Sequence, residues 1–135
     1  MIPSAVAHEL QGRGAPEIVR QWAGRLPSWV EVRELANPVF EREASGLDHG
    51  EWAAIQLAQE IHANLLLIDE RAGARVARGN GFAVTGTLGV LVEAARSGFV
   101  IIDEALARLA TTNFRRTDEL LEQTRQRARM PRGNA

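Results

Sequence analysis

At 135 residues, with 45% hydrophobic and 24% charged residues, the chain is long enough for one domain with a real core and too evenly composed for a disordered or collagen-like protein. Its formal net charge of -1 gives no global pull toward nucleic acid, although a local patch suffices for such binding, and no apolar run is long enough to cross a bilayer. The absence of Cys removes disulfides and thiolate metal sites together, so any metal must be held by oxygen or His. The start, MIPSAVAHELQG, lacks a basic n-region and a long h-region, and the expected compartment is the cytoplasm, with no membrane partner. Every basic residue other than His is Arg, which reflects coding composition more readily than phosphate recognition.

In chain order, Pro3 stands where the first turn of a helix tolerates it, and Val6 and Leu10 predict a short helix stopped by Gly12 or Gly14. A second helix is expected at about 16–25. WVEV (29–32) alternates like a half-exposed strand, and 33–47 shows no clear periodicity. LDHGEWAAIQLAQEIHA then places Trp52, Ile55, Leu57 or Ala58 and Ile61 at helical spacing, with Asn64 expected to close the helix. Strands are expected at 65–68 (LLLI), 82–85 (FAVT) and 99–102 (FVII), separated by helices near 70–79 and 87–97 with stops at Gly79, Gly81 and Gly98. Short apolar strands joined by single helices predict right-handed crossovers and a parallel sheet covered on both faces, an α/β fold. DEALARLA and TDELLEQTRQRARM read as two last helices, capped by Asp103 and by Thr117 or Asp118. Residues 1–130 are read as a single domain and 131–135 as a frayed tail.

The apolar run LLLI ends on Asp69-Glu70. In an open parallel sheet the strand C-termini face the ligand crevice, and carboxylates there can hold Mg²⁺ or Mn²⁺. The competing reading is that Asp69 caps the following helix while Glu70 serves its dipole. Asp48-x-x-Glu51 is likewise a capping-box pattern, and Glu9 is by default a solvated helix residue. His8, His49 and His62 show no metal-ligand spacing. TGTLG (85–89) follows a strand and opens a helix, so its amides could receive a phosphate, but it matches neither dinucleotide nor P-loop fingerprints, and a tight turn packing helix on strand is preferred.

IPSAVAHEL, GLDHGEWAAIQLAQE and LLLIDERAGARVARGNGFAVTGTLGVLVEAARSG resemble, in order and spacing, a branch of the PIN-domain proteins described as nucleic-acid-binding, from residue 2 to about 127. The resemblance implies a three-layer α/β/α fold with a parallel sheet. It also implies a metal-dependent ribonuclease using Mg²⁺ or Mn²⁺, as in the toxins of toxin-antitoxin pairs, with RNA and a cognate antitoxin as partners. Carried over by position, Glu9, Asp48 and Asp69 become the catalytic, metal-holding carboxylates, with Glu51 a fourth metal ligand. Arg71, Arg75, Arg115 and Arg116 become candidates for holding RNA phosphates, against the plain alternative of surface ion pairing.

Members of that family normally begin with a strand ending in Asp and then a helix before the segment matching IPSAVAHEL. The expectation is therefore that the central first strand is missing here, along with one metal ligand. Unpaired backbone groups on its neighbours would each cost on the order of 1–3 kcal/mol. An upstream start, a decayed gene and a homodimer that replaces the strand all compete, the first being favoured because the other acids are kept. A catalytically inactive protein that binds antitoxin or RNA is the alternative function, and a nucleotide-binding response module using TGTLG is a third.

Overall fold

The computed structural model describes residues 1–38 and 46–131. Part of the aperiodic 33–47 stretch and most of the expected tail therefore lie outside the described residues. Two compact units divide the chain, residues 1–84 and 85–135.

The first unit holds β1 (Ile2–Pro3), α1 (Ser4–Gln11), α2 (Glu17–Ala23), β2 (Val32–Arg33), α3 (His49–Glu60), β3 (Leu66–Leu67) and α4 (Arg71–Gly79). β4 (Val84–Thr85) begins at its last residue. Pro3 both ends a strand and is the N-cap that opens α1: β1 pairs in parallel with β2, Ile2 opposite Val32 and Pro3 opposite Arg33. A proline is tolerated there because this two-stranded ladder leaves its missing N–H without a required partner. The expected strand 29–32 is thus shifted toward its C-terminal end, since Val30 is drawn into a turn by its N–H bond to the Pro27 carbonyl at 2.9 Å. β3 and β4 form a second two-stranded sheet, reached through the Leu66 N–H bond to the Ala83 carbonyl at 2.9 Å. Among the described residues the single expected sheet is therefore two short ladders.

The core of this unit is Leu47, Ile55, Ala58, Leu66, Ile68, Ala74 and Ala77, with Trp52, Val76, Phe82 and Val84 packed around it. α3 supplies Ile55 and Ala58 at the spacing read from the sequence, and the fully buried positions of α4 are the small Gly73, Ala74 and Ala77. α3 ends at Glu60, before the expected stop at Asn64. The Ala63 N–H reaches back to the Ala58 carbonyl at 2.9 Å and the His62 N–H to Gln59 at 3.3 Å, with His62 at φ 50°. This is the αL C-terminal cap usually made by glycine, here made by a histidine.

The second unit contains α5 (Thr87–Arg96), α6 (Ile102–Ala110) and α7 (Asp118–Arg129). α7 is capped by the Thr117 hydroxyl, which accepts from the Leu120 N–H. Arg96 donates to the Arg127 carbonyl at 2.7 and 3.1 Å, tying α5 to the end of α7. Asp103 accepts from Arg125 and Arg129, each at 3.0 Å, tying α6 to α7. Two expectations fail in this unit. Residues 99–102 form no strand: the Phe99 and Gly98 N–H groups close α5 on the Ala94 and Ala95 carbonyls, and the Ile101 carbonyl already starts α6. The three residues between two caps keep too little free backbone for a ladder, and Phe99 stays 82% exposed. Asp103 lies inside α6, whose N-cap is Ile101, because its carboxylate is spent on α7.

Candidate functional site

Glu9, Asp48, Glu51 and Asp69, from three separate places in the first unit's sequence, line one cleft of about 210 Å³, together with Val6, Gly50, Ala54, Leu67 and Ile68. α1 carries Glu9 on the side that packs toward α3. Asp48 is the N-cap of α3, its carboxylate accepting the Glu51 N–H at 2.7 Å, while the Glu51 carboxylate takes the Asp48 N–H at 3.4 Å. The capping box read from the sequence is therefore real, and it sits in the cleft wall rather than apart from it.

Asp69 follows β3, as expected of a strand-end carboxylate. The alternative that it caps α4 is corrected: Glu70 is the N-cap and accepts the Arg71 N–H at 3.0 Å. Asp69 is left at the cleft.

Two glycines make room for the acids. A Cβ on Gly50 would stand 2.5 Å from Glu9 Oε2 and 3.0 Å from Oε1, so the Glu9 carboxylate lies against the bare backbone of α3. A Cβ on Gly73 would stand 2.6 Å from Glu51 Oε1 and 3.0 Å from Ile68 Cγ2. Neither glycine was singled out from the sequence. A signal existed, since an interior helical glycine costs about 1 kcal/mol relative to alanine and marks a close approach when it has a reason to be there.

Glu51 is the electrostatic centre of the cleft. Burial pushes its carboxyl above the ordinary carboxylate value, and the negative charges of Asp48, Glu70 and Glu9 push it further, against the lowering effect of the Asp48 N–H. Its Oε1 is buried with no hydrogen-bond partner among the described residues. A buried acceptor left unsatisfied costs about 1–3 kcal/mol, more if charged, and hard divalent cations are bound by just such oxygens. The donor set thus fits Mg²⁺ or Mn²⁺ in chemistry. Among the described residues no three His, Asp or Glu side chains are grouped to hold an ion as they stand, and Asp48 Oδ1 and Glu51 Oε2 face each other's amides. His8, His49 and His62 do not line the cleft.

The four arginines expected to hold phosphate fall into two groups. Arg115 donates to the Thr112 and Phe114 carbonyls, and Arg116 donates to the Arg115 carbonyl and lies 4.4 Å above the Phe114 ring. Both are engaged within their own loop of the second unit. Arg71 and Arg75 stand exposed on α4, and Arg78, which sequence reasoning passed over, stands on the same face. No side-chain hydrogen bond or ion pair of these three exists among the described residues. The opposite face buries Gly73, Ala74 and Ala77. Repulsion between Arg71 and Arg75 at i,i+4, and a cation in the first turn of a helix, each cost a few tenths of a kcal/mol.

TGTLG forms the N-terminus of α5, with Gly86 as N-cap. A Cβ on Gly89 would overlap the Thr85 hydroxyl, so this glycine seats the Thr85 side chain, in keeping with a packing turn.

No curated protein and no solved structure matches the chain. The family model DUF3368, described as PIN domain, matches residues 1–130. The chain belongs to this PIN-domain family: its fold is α/β, and the family points to nuclease-type chemistry on nucleic acid.

Proposed function

We propose that this PIN domain is a Mg²⁺- or Mn²⁺-dependent endoribonuclease and the toxin half of a toxin-antitoxin pair, with Glu9, Asp48, Glu51 and Asp69 as the metal-holding and catalytic carboxylates. The supporting observation is the convergence of these four acids on one small cleft, with Glu51 Oε1 buried and unpartnered. A bound ion there supplies Lewis-acid polarisation of the phosphodiester and a more acidic water. The chain's own part begins with the capping box. Asp48 Oδ1 and Glu51 Oε2 are held by each other's amides, which fixes both carboxylates in the cleft wall and leaves Glu51 Oε1 as the unpartnered oxygen an ion would meet. Gly50 and Gly73 leave the space in which Glu9 and Glu51 lie close to the backbone. Uncompensated, the acids repel a phosphodiester, which makes RNA binding at the cleft dependent on the cation.

The test is cleavage of single-stranded RNA by the full chain with Mn²⁺ and with EDTA. Activity with Mn²⁺ that disappears in EDTA and in Asp69→Asn is expected; cleavage that survives Asp69→Asn overturns the assignment. The antitoxin is expected to be encoded beside this gene, and its co-expression is expected to reverse growth arrest. A homodimer is part of the proposal, and the exposed Ile18, Trp22 and Trp29 are apolar surface it would cover.

The second reading, a protein that binds antitoxin or RNA without cleavage, draws on the capping box: with Asp48 and Glu51 committed to the helix start, the acids stabilise α3 and need no ion. The same EDTA comparison separates the two.

A further inference from the structure

The arginines of α4 stand apart from the chain's other charged helices. α2, α5, α6 and α7 mix arginine with acids, and Arg20, Arg125 and Arg129 pair with carboxylates. Among the described helices α4 alone carries arginine and no acid within its span. Arg71, Arg75 and Arg78 fall within about 60° of one another around the helix, opposite the buried face. Helix stability does not account for Arg71 and Arg75, since Arg71 sits at the positive end of the dipole and the two repel, whereas Arg78 in the last turn is favoured by it.

Resting on the metal-site reading, we infer that these three side chains form a track for the sugar-phosphate backbone of single-stranded RNA, holding successive phosphates to one side of the carboxylate cleft. The helical rise sets Arg71 and Arg75 about 6 Å apart along the axis and Arg75 and Arg78 about 4.5 Å, a repeat comparable with successive phosphates of one strand. A guanidinium offers a planar donor fork that takes a phosphate through two bonds. α4 starts two residues after Asp69, so a strand on the arginine face, which lies opposite the Gly73 face that meets Glu51 Oε1, runs from the Asp69 end of the helix toward its C-terminus. One row of cations follows one backbone, and duplex RNA is expected to bind less well than the single strand.

The test uses the full chain, a fluorescent oligouridylate and EDTA, so that binding is read without cleavage or metal. Anisotropy titrations over a salt series give the slope of log K against log salt. For single strands the slope is about -0.7 per phosphate neutralised, so Arg78→Gln is expected to lose about 0.7 and the triple Arg→Gln variant about 2. Near 0.15 M salt each arginine lost is expected to weaken binding about 4-fold. An unchanged slope, equal binding of duplex, or a triple variant that loses affinity only for an acidic peptide and not for RNA overturns the track. A thermal melt with Mn²⁺ is run alongside. A wild-type salt slope that falls in the variants supports the track even if Mn²⁺ gives no shift, in which case the metal site is what fails. A Mn²⁺ shift with no change of slope leaves the metal site standing and removes the track.

Discussion

Asp103 and Glu51 are both acids in the first turn of a helix, and the structure treats them in opposite ways. Asp103, in the second unit, is clamped by Arg125 and Arg129 at 3.0 Å each. Glu51, in the first, faces Asp48, Glu70 and Glu9, carries a raised pKa and keeps one oxygen buried without a partner. Neither Glu9, Asp48 nor Glu51 has an ion pair among the described residues, although the chain has nearly as many arginines as acids. Charge that is answered by its own chain holds helices together. Charge left unanswered in a cleft is a cost to the fold that protonation or a bound cation would relieve.

The largest expected effect is on activity. Asp69→Asn lowers Mn²⁺-dependent RNA cleavage about 100-fold or more, equivalent to about 2.7 kcal/mol of transition-state stabilisation. Circular dichroism and the melting temperature stay close to wild type, because Asp69 is exposed and caps no helix.

Gly50→Ala sharpens the contrast between site and fold. The three atoms nearest the added methyl all belong to the flexible end of Glu9, and alanine is the better helix former. The expected outcome is a melting temperature equal to or above wild type together with a lost Mn²⁺-induced shift. A lowered melting temperature with an intact metal response goes against the cradle.

Asp103→Asn probes the answered charge. Its carboxylate is about half exposed, so solvent screening holds the loss to about 0.5–1 kcal/mol, and raised salt shrinks it further. Chemical denaturation at low and high salt reads both.

The smallest effect is in the pH dependence. Because Glu51 is protonated more readily in the folded chain than in the unfolded one, its contribution is fully present below the ordinary carboxylate pKa. That contribution is lost as pH rises through the elevated folded value. In metal-free buffer the difference in melting temperature between Glu51→Gln and wild type is therefore expected to move in favour of the variant from acid to neutral pH. Saturating Mn²⁺ reverses it.

Part of the site could be read directly from residues. Asp48-x-x-Glu51 has the spacing of a reciprocal cap, and a carboxylate closing an apolar run is visible at Asp69. Glu9 could not be found that way: an acid on a short helix has the same pattern whether it faces water or a cleft, and only family resemblance picked it out. Gly50 and Gly73 escaped because their role is set by side chains more than twenty residues away in sequence. The core helices followed their periodicity. FVII misled because apolarity secured neither backbone pairing nor burial: Phe99, Val100 and Ile101 are exposed, and two caps had already used the groups a ladder needs. Helix α3 ended early for a related reason: a histidine took the left-handed position that composition reserves for glycine.

The bare backbone at Gly50 also bears on how this gene can change. A glycine codon becomes an alanine codon by a single base substitution, and at this position that substitution is expected to cost the fold nothing. Silencing the cleft is thus among the shortest steps open to the gene, and one that no screen for soluble, folded protein would notice.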